Sequence, residues 1–146
     1  MADVSHRPGD LAGHPDASEM RDRYARMLGK RGVVAVDGLL LLAGLYAAIS
    51  PWTVHFSASS SELALNNLIM GIAVAVIGLA LTAAPERMQG LSGACAAIGV
   101  WLIVAPWVVT RDPGTGMIWN NIIVGACICL LGLTAAGMVM RNNRET

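Results

Sequence analysis

Four long apolar segments dominate the pattern of hydrophobic and polar positions along the chain. They cover residues 33–49, 63–84, 91–109 and 117–140. Each has about 17–24 residues, enough for an α-helix to cross a hydrocarbon core of ~30 Å with modest tilt. The first segment contains one acidic residue, Asp37, and the other three contain no Lys, Arg, Asp or Glu. The pattern therefore predicts an all-α membrane protein with four transmembrane helices.

A polar leader precedes the first apolar segment. Residues 1–15 are rich in Pro, Gly, His and Asp and predict a disordered tail. Residues 16–32 predict an amphipathic juxtamembrane helix, because Asp16 or Ser18 can cap its start and an apolar face recurs at helical spacing. That face consists of Met20, Tyr24, Met27 and Leu28. It can contact lipid at the inner membrane surface or dock onto a partner protein, and both hypotheses stay open here.

The basic residues predict the orientation of the four segments in the membrane. Five of them lie between residues 21 and 31, Arg87 follows the second segment, and Arg141 and Arg144 follow the fourth. The loops at 50–62 and 110–116 carry only Arg111 between them. Since cytoplasmic loops are enriched in Lys and Arg, we expect both termini, the loop 85–90 and the tail 141–146 to be cytoplasmic.

Composition narrows the class of protein further. Hydrophobic residues make up 55% of the chain and charged residues 14%, against roughly 25% charged residues in soluble domains. The formal net charge of zero gives no basic surface for nucleic acid. Cys95, Cys127 and Cys129 lie inside apolar segments without a CxxC motif, which favours helix packing over redox chemistry. We predict no catalytic residues, no cofactor and no metal.

The two halves of the chain resemble each other. GLYAAISPW at 44–52 is followed 55 residues later by GVWLIVAPW at 99–107. NNLIMG at 66–71 is followed 54 residues later by NNIIVG at 120–125. Each repeat predicts a helical hairpin, over 33–84 and 91–140. Both hairpins start from the same side, so they are parallel repeats related by a pseudo-twofold axis along the membrane normal.

The duplicated corner resembles the SPW repeat family of small bacterial membrane proteins. It reads Ser50-Pro51-Trp52 in the first copy and Ala105-Pro106-Trp107 in the second, where alanine replaces the serine. The resemblance covers about residues 33–137. It implies a multi-pass protein of the bacterial inner membrane, and it brings no established catalytic activity.

The prolines and tryptophans of these corners have a simple structural interpretation. Pro51 and Pro106 end or bend the helices where the segments leave the bilayer. Trp52 and Trp107 then lie at headgroup depth, where an amphipathic ring is favoured. The alternative is that the two tryptophans form an aromatic pair facing a ligand.

The repeated asparagines and glycines suggest contacts between helices. Of each pair, Asn66 with Asn67 and Asn120 with Asn121, we expect one to cap its helix or bond the outer loop and the other to bond across the bundle. The alternative is a small polar site lined by the four amides. The spacing of seven residues places two glycines on one face of each second helix, where they allow close helix approach. These glycines are Gly71, Gly78, Gly125 and Gly132.

Asp37 is the intramembrane acid. It lies about one turn from the predicted cytoplasmic end of its segment, near a predicted helix N-terminus that favours negative charge. We expect a structural role there, with Arg87 or Arg141 as the partner. A proton or cation role and a contact with a partner protein are the alternatives. The repeat equivalent of Asp37 is Ser92, so the charge is not duplicated.

These features favour a non-enzymatic integral membrane protein. The leading hypothesis is a scaffold or accessory subunit that contacts membrane lipids and packs against itself or a larger membrane complex. The alternative is an oligomeric transporter or channel for a small solute, because four helices form too thin a bundle to enclose a pathway alone. An enzyme acting on quinone or lipid near Trp52 and Trp107 is a third hypothesis.

Overall fold

A computed structural model describes residues 15–84 and 90–144, apart from the side chains of Pro15 and Asn142. These residues form four α-helices and no strand. The helices are α1 (Pro15–Thr53), α2 (Ser61–Ala83), α3 (Leu91–Val109) and α4 (Thr115–Arg144). Each is long and apolar enough to cross a membrane, so the predicted all-α membrane fold is confirmed. The predicted tail before residue 15 and the loop residues 85–89 lie outside the described residues.

The described residues divide into two units, residues 15–32 and residues 33–144 without 85–89. Residues 15–32 of the first unit are helical and mostly exposed, with an ion pair of 3.1 Å between Arg23 Nη2 and Glu19 Oε1. We predicted a separate helix here, but these residues are the first part of α1. No proline lies between residues 16 and 50. Gly29 and Gly32 lower helix propensity by only about 1 kcal/mol each, which does not end a helix continued by a long apolar segment.

The second unit consists of two helical hairpins, α1 with α2 and α3 with α4. Its main core runs along the middle of the four helices and is built from small and medium-sized apolar side chains. The buried members are Leu40, Ala47, Val74, Leu81, Cys95, Leu102, Val124, Ile128 and Ala135. Every helix contributes to this core, so neither hairpin buries its apolar face alone.

Glycines bring the two helices of each hairpin into backbone contact. A Cβ atom added to Gly44 on α1 would lie 2.5 Å from the backbone nitrogen of Ala75 and 2.7 Å from the carbonyl oxygen of Gly71 on α2. In the second hairpin, a Cβ atom on Gly99 would lie 2.6 Å from the carbonyl oxygen of Gly125. All three distances are too short for a Cβ atom to fit. The same close contact between helices therefore occurs in both repeats.

The remaining pair of glycines repeats this contact two turns further along. A Cβ atom on Gly78 would lie 2.7 Å from the backbone nitrogen of Leu41, and one on Gly132 would lie 2.7 Å from that of Ala96. The spacing of seven residues therefore places two points of backbone contact along each hairpin. These contacts fix the crossing of α1 over α2 and of α3 over α4.

Candidate functional site

Four buried polar side chains meet at one end of the bundle, called here the Pro-Trp end because it carries Pro51, Pro106 and the loops 54–60 and 110–114. They come from α1, α2 and α4 and form what we call the polar cluster. Its members are Ser50, Asn67, Asn120 and Asn121. The sequence singled out all four through the repeat, and the structure brings them into one network of hydrogen bonds.

A reciprocal pair of amides lies at the centre of the polar cluster. Nδ2 of Asn67 donates to Oδ1 of Asn121 at 2.8 Å, and Nδ2 of Asn121 donates back to Oδ1 of Asn67 at 3.3 Å. The two residues are repeat equivalents, 54 positions apart. A residue and its own equivalent face each other in this way when they lie beside the axis that relates the repeats. The pair therefore joins the two hairpins at the pseudo-twofold axis.

Ser50 connects α1 to this pair. Its hydroxyl accepts from Nδ2 of Asn120 at 3.1 Å and from Nδ2 of Asn67 at 3.5 Å, and it donates to the carbonyl oxygen of Ala47 at 2.9 Å. A serine hydroxyl has one donor and two acceptor positions, so these three bonds use its full capacity. The serine of the first corner thus binds one amide from each hairpin.

The second corner has no such hydroxyl, and its asparagine finds another partner. Asn66 is the repeat equivalent of Asn120, and the residue that corresponds to Ser50 is Ala105. Oδ1 of Asn66 instead accepts from the indole Nε1 of Trp101 at 3.0 Å, while its Nδ2 lies 3.4 Å from Oδ1 of Asn67. The tryptophan side chain therefore replaces the missing serine as a partner, and it draws Asn66 toward the surface between α2 and α3.

The expected capping role of the asparagines is wrong. The N-cap of α2 is Ser60, whose Oγ accepts from the backbone nitrogen of Leu63 at 3.4 Å. Asn66 and Asn67 lie in the second turn of α2, and Asn120 lies at the corresponding place in α4. Their backbone groups are already inside helices, so the side chains are available for bonds between helices.

The loop between α1 and α2 packs onto the Pro-Trp end of the bundle, which holds the polar cluster. Phe56 is buried against Leu63, Ala105 and Met117, which belong to three different helices. The loop reverses at His55, which has a left-handed backbone with φ of 62°.

A second contact joins the same loop to Thr110, the residue that follows α3. Oγ of Ser60 and Oγ1 of Thr110 form a hydrogen bond of 2.9 Å. Our sequence reasoning missed Phe56, Ser60 and Thr110. Ser60 had a usable signal, since a serine before an apolar run with Glu62 close behind it is typical of a helix start.

The two corner prolines lie just inside the helix ends. Pro51 and Pro106 are buried, and their helices end at Thr53 and Val109, within one turn. The carbonyl oxygen of Pro51 accepts from the backbone nitrogen of Phe56 at 2.9 Å and from that of Ser57 at 3.1 Å. These bonds attach the covering loop to the end of α1.

The tryptophans that follow the prolines point away from the bundle. Trp52 is 53% exposed and Trp107 is 52% exposed, so the two repeats present them equally. Trp52 also lines an open groove of about 350 Å³ together with Ala58, Leu65 and Leu68. Trp107 is not among the residues that line this groove.

The chemistry of the polar cluster is that of a cross-link. Among the described residues, every buried side-chain nitrogen or oxygen has a hydrogen-bond partner. The cluster contains amides and a hydroxyl and no titratable group. Within residues 15–84 and 90–144, no three His, Cys, Asp or Glu side chains are grouped so that they can hold a metal ion.

Residues 34–135 match the family model of the SPW repeat domain. The chain belongs to the SPW repeat family. The match runs from α1 to α4, so both SPW repeats and the whole polar cluster lie inside it, while residues 15–32 lie outside. Searches of curated proteins and of solved structures found no significant match.

Asp37 lies at the opposite end of the SPW bundle, which we call the Asp37 end. The residue is 3% exposed. It lines a cavity of about 20 Å³ with residues from the other three helices, among them Leu81, Ser92 and Ala135. Asp37 and Ser92, equivalent in sequence, are also equivalent in space, because their carbonyl oxygens face Gly78 and Gly132 respectively.

The expected surroundings of Asp37 need correction. Since α1 begins at Pro15, Asp37 lies deep inside a helix and gains nothing from a helix N-terminus. Among the described residues the carboxylate forms no ion pair, so the expected pair with Arg141 is absent. The other expected partner, Arg87, lies outside the described residues.

Proposed function

We propose that this SPW repeat protein is a non-enzymatic scaffold or accessory subunit, which packs against copies of itself or against a larger membrane complex. One observation carries the proposal. The buried polar side chains of the bundle bond to one another across the pseudo-twofold axis, in the pair formed by Asn67 and Asn121 and in the bonds of Ser50. These bonds hold the hairpins together, and each buried side-chain nitrogen or oxygen among the described residues already has a hydrogen-bond partner.

The outer surface of the bundle supports the same proposal. Large apolar side chains are exposed on every helix, for example Leu42, Leu79, Val108 and Leu130. Such a surface is stable only when lipid tails or apolar helices cover it. An accessory subunit needs a surface of this kind on a rigid core, and the backbone contacts at the glycines supply the rigidity.

The first part of α1 is the element we assign to partner contact. Met20, Tyr24, Met27 and Leu28 are exposed, and the first of them keeps 70% of its surface accessible. Covering one large apolar side chain contributes ~1.5–3 kcal/mol. Residues 16–31 also carry five basic and three acidic groups, so anionic lipid competes with protein for this helix.

The test is a pair of double variants in the full chain. Met20→Asp with Met27→Asp places two charges on the apolar face, and Ser18→Asp with Ala25→Asp places the same charges away from it. After gentle extraction, mass spectrometry of intact complexes reports which assembly each variant keeps. We expect the first variant to lose its partner subunits, or its self-association, while it still inserts in the membrane. The control should keep both.

Two outcomes contradict the proposal. If the first variant keeps its assembly at the yield of the unaltered chain, residues 16–31 are not the docking element. If the chain forms a pure homo-oligomer that passes a small solute across liposomes, the transporter or channel hypothesis replaces the scaffold.

Deletion of residues 1–30 should leave the four-helix core folded, because the SPW match starts at residue 34.

We place the protein in the bacterial inner membrane with both termini in the cytoplasm. The support is the distribution of Lys and Arg along the chain. Single cysteines at positions 58, 114 and 88, in a chain without the native cysteines, test this orientation on intact cells. A membrane-impermeant reagent should label positions 58 and 114. Labelling at 88 instead means that the orientation is the reverse.

A further inference from the structure

We propose that Asp37 is a proton-binding site inside the SPW bundle, at which the carboxyl group exchanges a proton with a water molecule in a small cavity between the four helices. The proposal concerns a different end of the molecule from the polar cluster. It also goes beyond a scaffold role, because it gives the bundle a group that responds to pH.

Asp37 is a buried side chain beside a small, partly open cavity. The side chain projects from α1 into a cavity bounded by Leu81 of α2, Ser92 of α3 and Met138 of α4. The cavity measures about 20 Å³, and a water molecule needs at least roughly 10–15 Å³ measured in this way. One water therefore fits beside the carboxyl group.

The surroundings of the cavity supply no positive charge from the described residues. The facing side chains of α2 and α4 are apolar, with Leu81, Ala135 and Met138 nearest. On α3 the facing groups are the hydroxyl of Ser92 and, one turn later, the buried thiol of Cys95. No described Lys or Arg lies within ion-pair distance of Asp37.

A carboxylate buried among apolar side chains needs a positive charge beside it, because moving an unpaired ion out of water into such a site costs many kcal/mol. A proton meets this need without requiring any further space or ligands. A metal ion would need several oxygen ligands, whereas the cavity offers one carboxyl group and one hydroxyl. Proton uptake is thus the binding event that suits both the size and the composition of the site.

The test uses infrared spectroscopy of the full chain in lipid nanodiscs. At neutral pH the unaltered chain should show the C=O band of a protonated carboxyl group, shifted when H₂O is exchanged for D₂O. Asp37→Asn should abolish this band, whereas Glu62→Gln, which alters an exposed acid of α2, should leave it. Asp37→Glu should restore the band at a shifted position if the asparagine variant folds poorly.

Thermal unfolding gives a second, independent readout. As pH rises above the usual pKa of an aspartate, the unfolded chain releases this proton while the folded bundle still holds it. The Tm of the unaltered chain should therefore fall with pH, relative to that of Asp37→Asn, by at least about 2 °C, the shift expected for 1 kcal/mol. Both proteins carry Cys95→Ala in this comparison, because the thiol lies close enough to Asp37 to interact with it. Ser92→Ala should keep the pH dependence.

Three results would overturn the proposal. The first is a spectrum without a protonated carboxyl band at neutral pH. The second is coupling to Arg87, in which Asp37→Asn and Arg87→Gln each lower the Tm and the double variant lowers it no further, since this identifies an ion pair. The third is a Tm that rises with sodium chloride and not with choline chloride, in the unaltered chain alone, which identifies a metal cation site.

Discussion

Removing the amide pair at the centre of the polar cluster should weaken the attachment of one hairpin to the other. In Asn67→Leu, a side chain of similar size replaces the amide, and Nδ2 of Asn121 loses its acceptor. Oδ1 of Asn121 keeps the bond of 3.3 Å from Nδ2 of Asn120. A polar group left without its partner in a buried site costs about 1–3 kcal/mol. We expect each single variant, Asn67→Leu and Asn121→Leu, to lose stability in that range.

The double variant decides whether the two amides act as a pair. Once both are leucine, neither amide of the pair is left facing an apolar side chain, and Nδ2 of Asn120 keeps its bond to Ser50. The bond from Nδ2 of Asn66 is lost in Asn67→Leu and in the double variant alike, so the combined loss should be smaller than the sum of the single losses. The difference is the coupling energy. For hydrogen bonds between membrane helices it should amount to ~0.6–2 kcal/mol.

The assay is reversible unfolding in mixed micelles with an increasing fraction of a denaturing detergent, followed by helical circular dichroism. Thr134→Val is the matched control, because the hydroxyl of Thr134 donates at 2.7 Å to the carbonyl oxygen of Leu130 within its own helix. Its loss should change stability by less than about 0.5 kcal/mol. If the two single losses sum to the loss of the double variant within ~0.5 kcal/mol, the pair does not cross-link the hairpins.

Three further variants test other contacts with the same assay. Gly71→Ala should cost about 1–3 kcal/mol, because the added Cβ meets backbone on α1, whereas Gly93→Ala, with open space around its Cα, should be neutral or slightly stabilising; equal effects would refute the close contact. Ser50→Ala should cost about 1–3 kcal/mol, because Asn120 loses an acceptor, and no change would show that the hydroxyl is not needed. Phe56→Ala should cost ~3–5 kcal/mol, and a loss below ~1 kcal/mol would mean that the loop does not cover the bundle.

The sequence predicts much of this fold because two signals are strong. Segments without charge over about 20 residues have few alternatives to a transmembrane helix. The internal repeat then shows which positions meet, since Gly71 and Gly125, like Asn67 and Asn121, recur at one offset. A residue that recurs at the same offset in both halves must occupy equivalent positions in the two hairpins. This equivalence can be inferred without knowing how the helices cross.

The features that sequence reasoning missed are those that the repeat does not duplicate. Phe56 corresponds to no aromatic residue in the second loop, and its packing depends on the path of an irregular segment. The continuity of α1 was missed because a change from polar to apolar composition resembles a boundary. Helices end where capping groups or prolines end them, and residues 16–50 contain no proline.

Two of the differences in polar character between the repeats, Asp37 against Ser92 and Ser50 against Ala105, follow from what lies next to each position. Asp37 and Ser92 line the same small cavity, so an acid at both positions would place two carboxyl groups against each other, where like charges repel. A site beside the axis therefore has room for a single acid.

At the other end, Ala105 lies against Phe56 of the covering loop. A hydroxyl at position 105 would face an aromatic ring, and it would lie apart from the amides that Ser50 satisfies. The loop that covers the bundle comes from the first repeat alone, so the two corners have different neighbours even though their helices are equivalent. This predicts that Ala105→Ser is destabilising, by about 1 kcal/mol or more, because its hydroxyl can donate within its own helix, as Ser50 does, while its oxygen is buried beside Phe56 without a donor. The same change combined with Phe56→Ala should cost less than the sum of the two. If Ala105→Ser is neutral in the unaltered chain, the covering loop is not what separates the two corners.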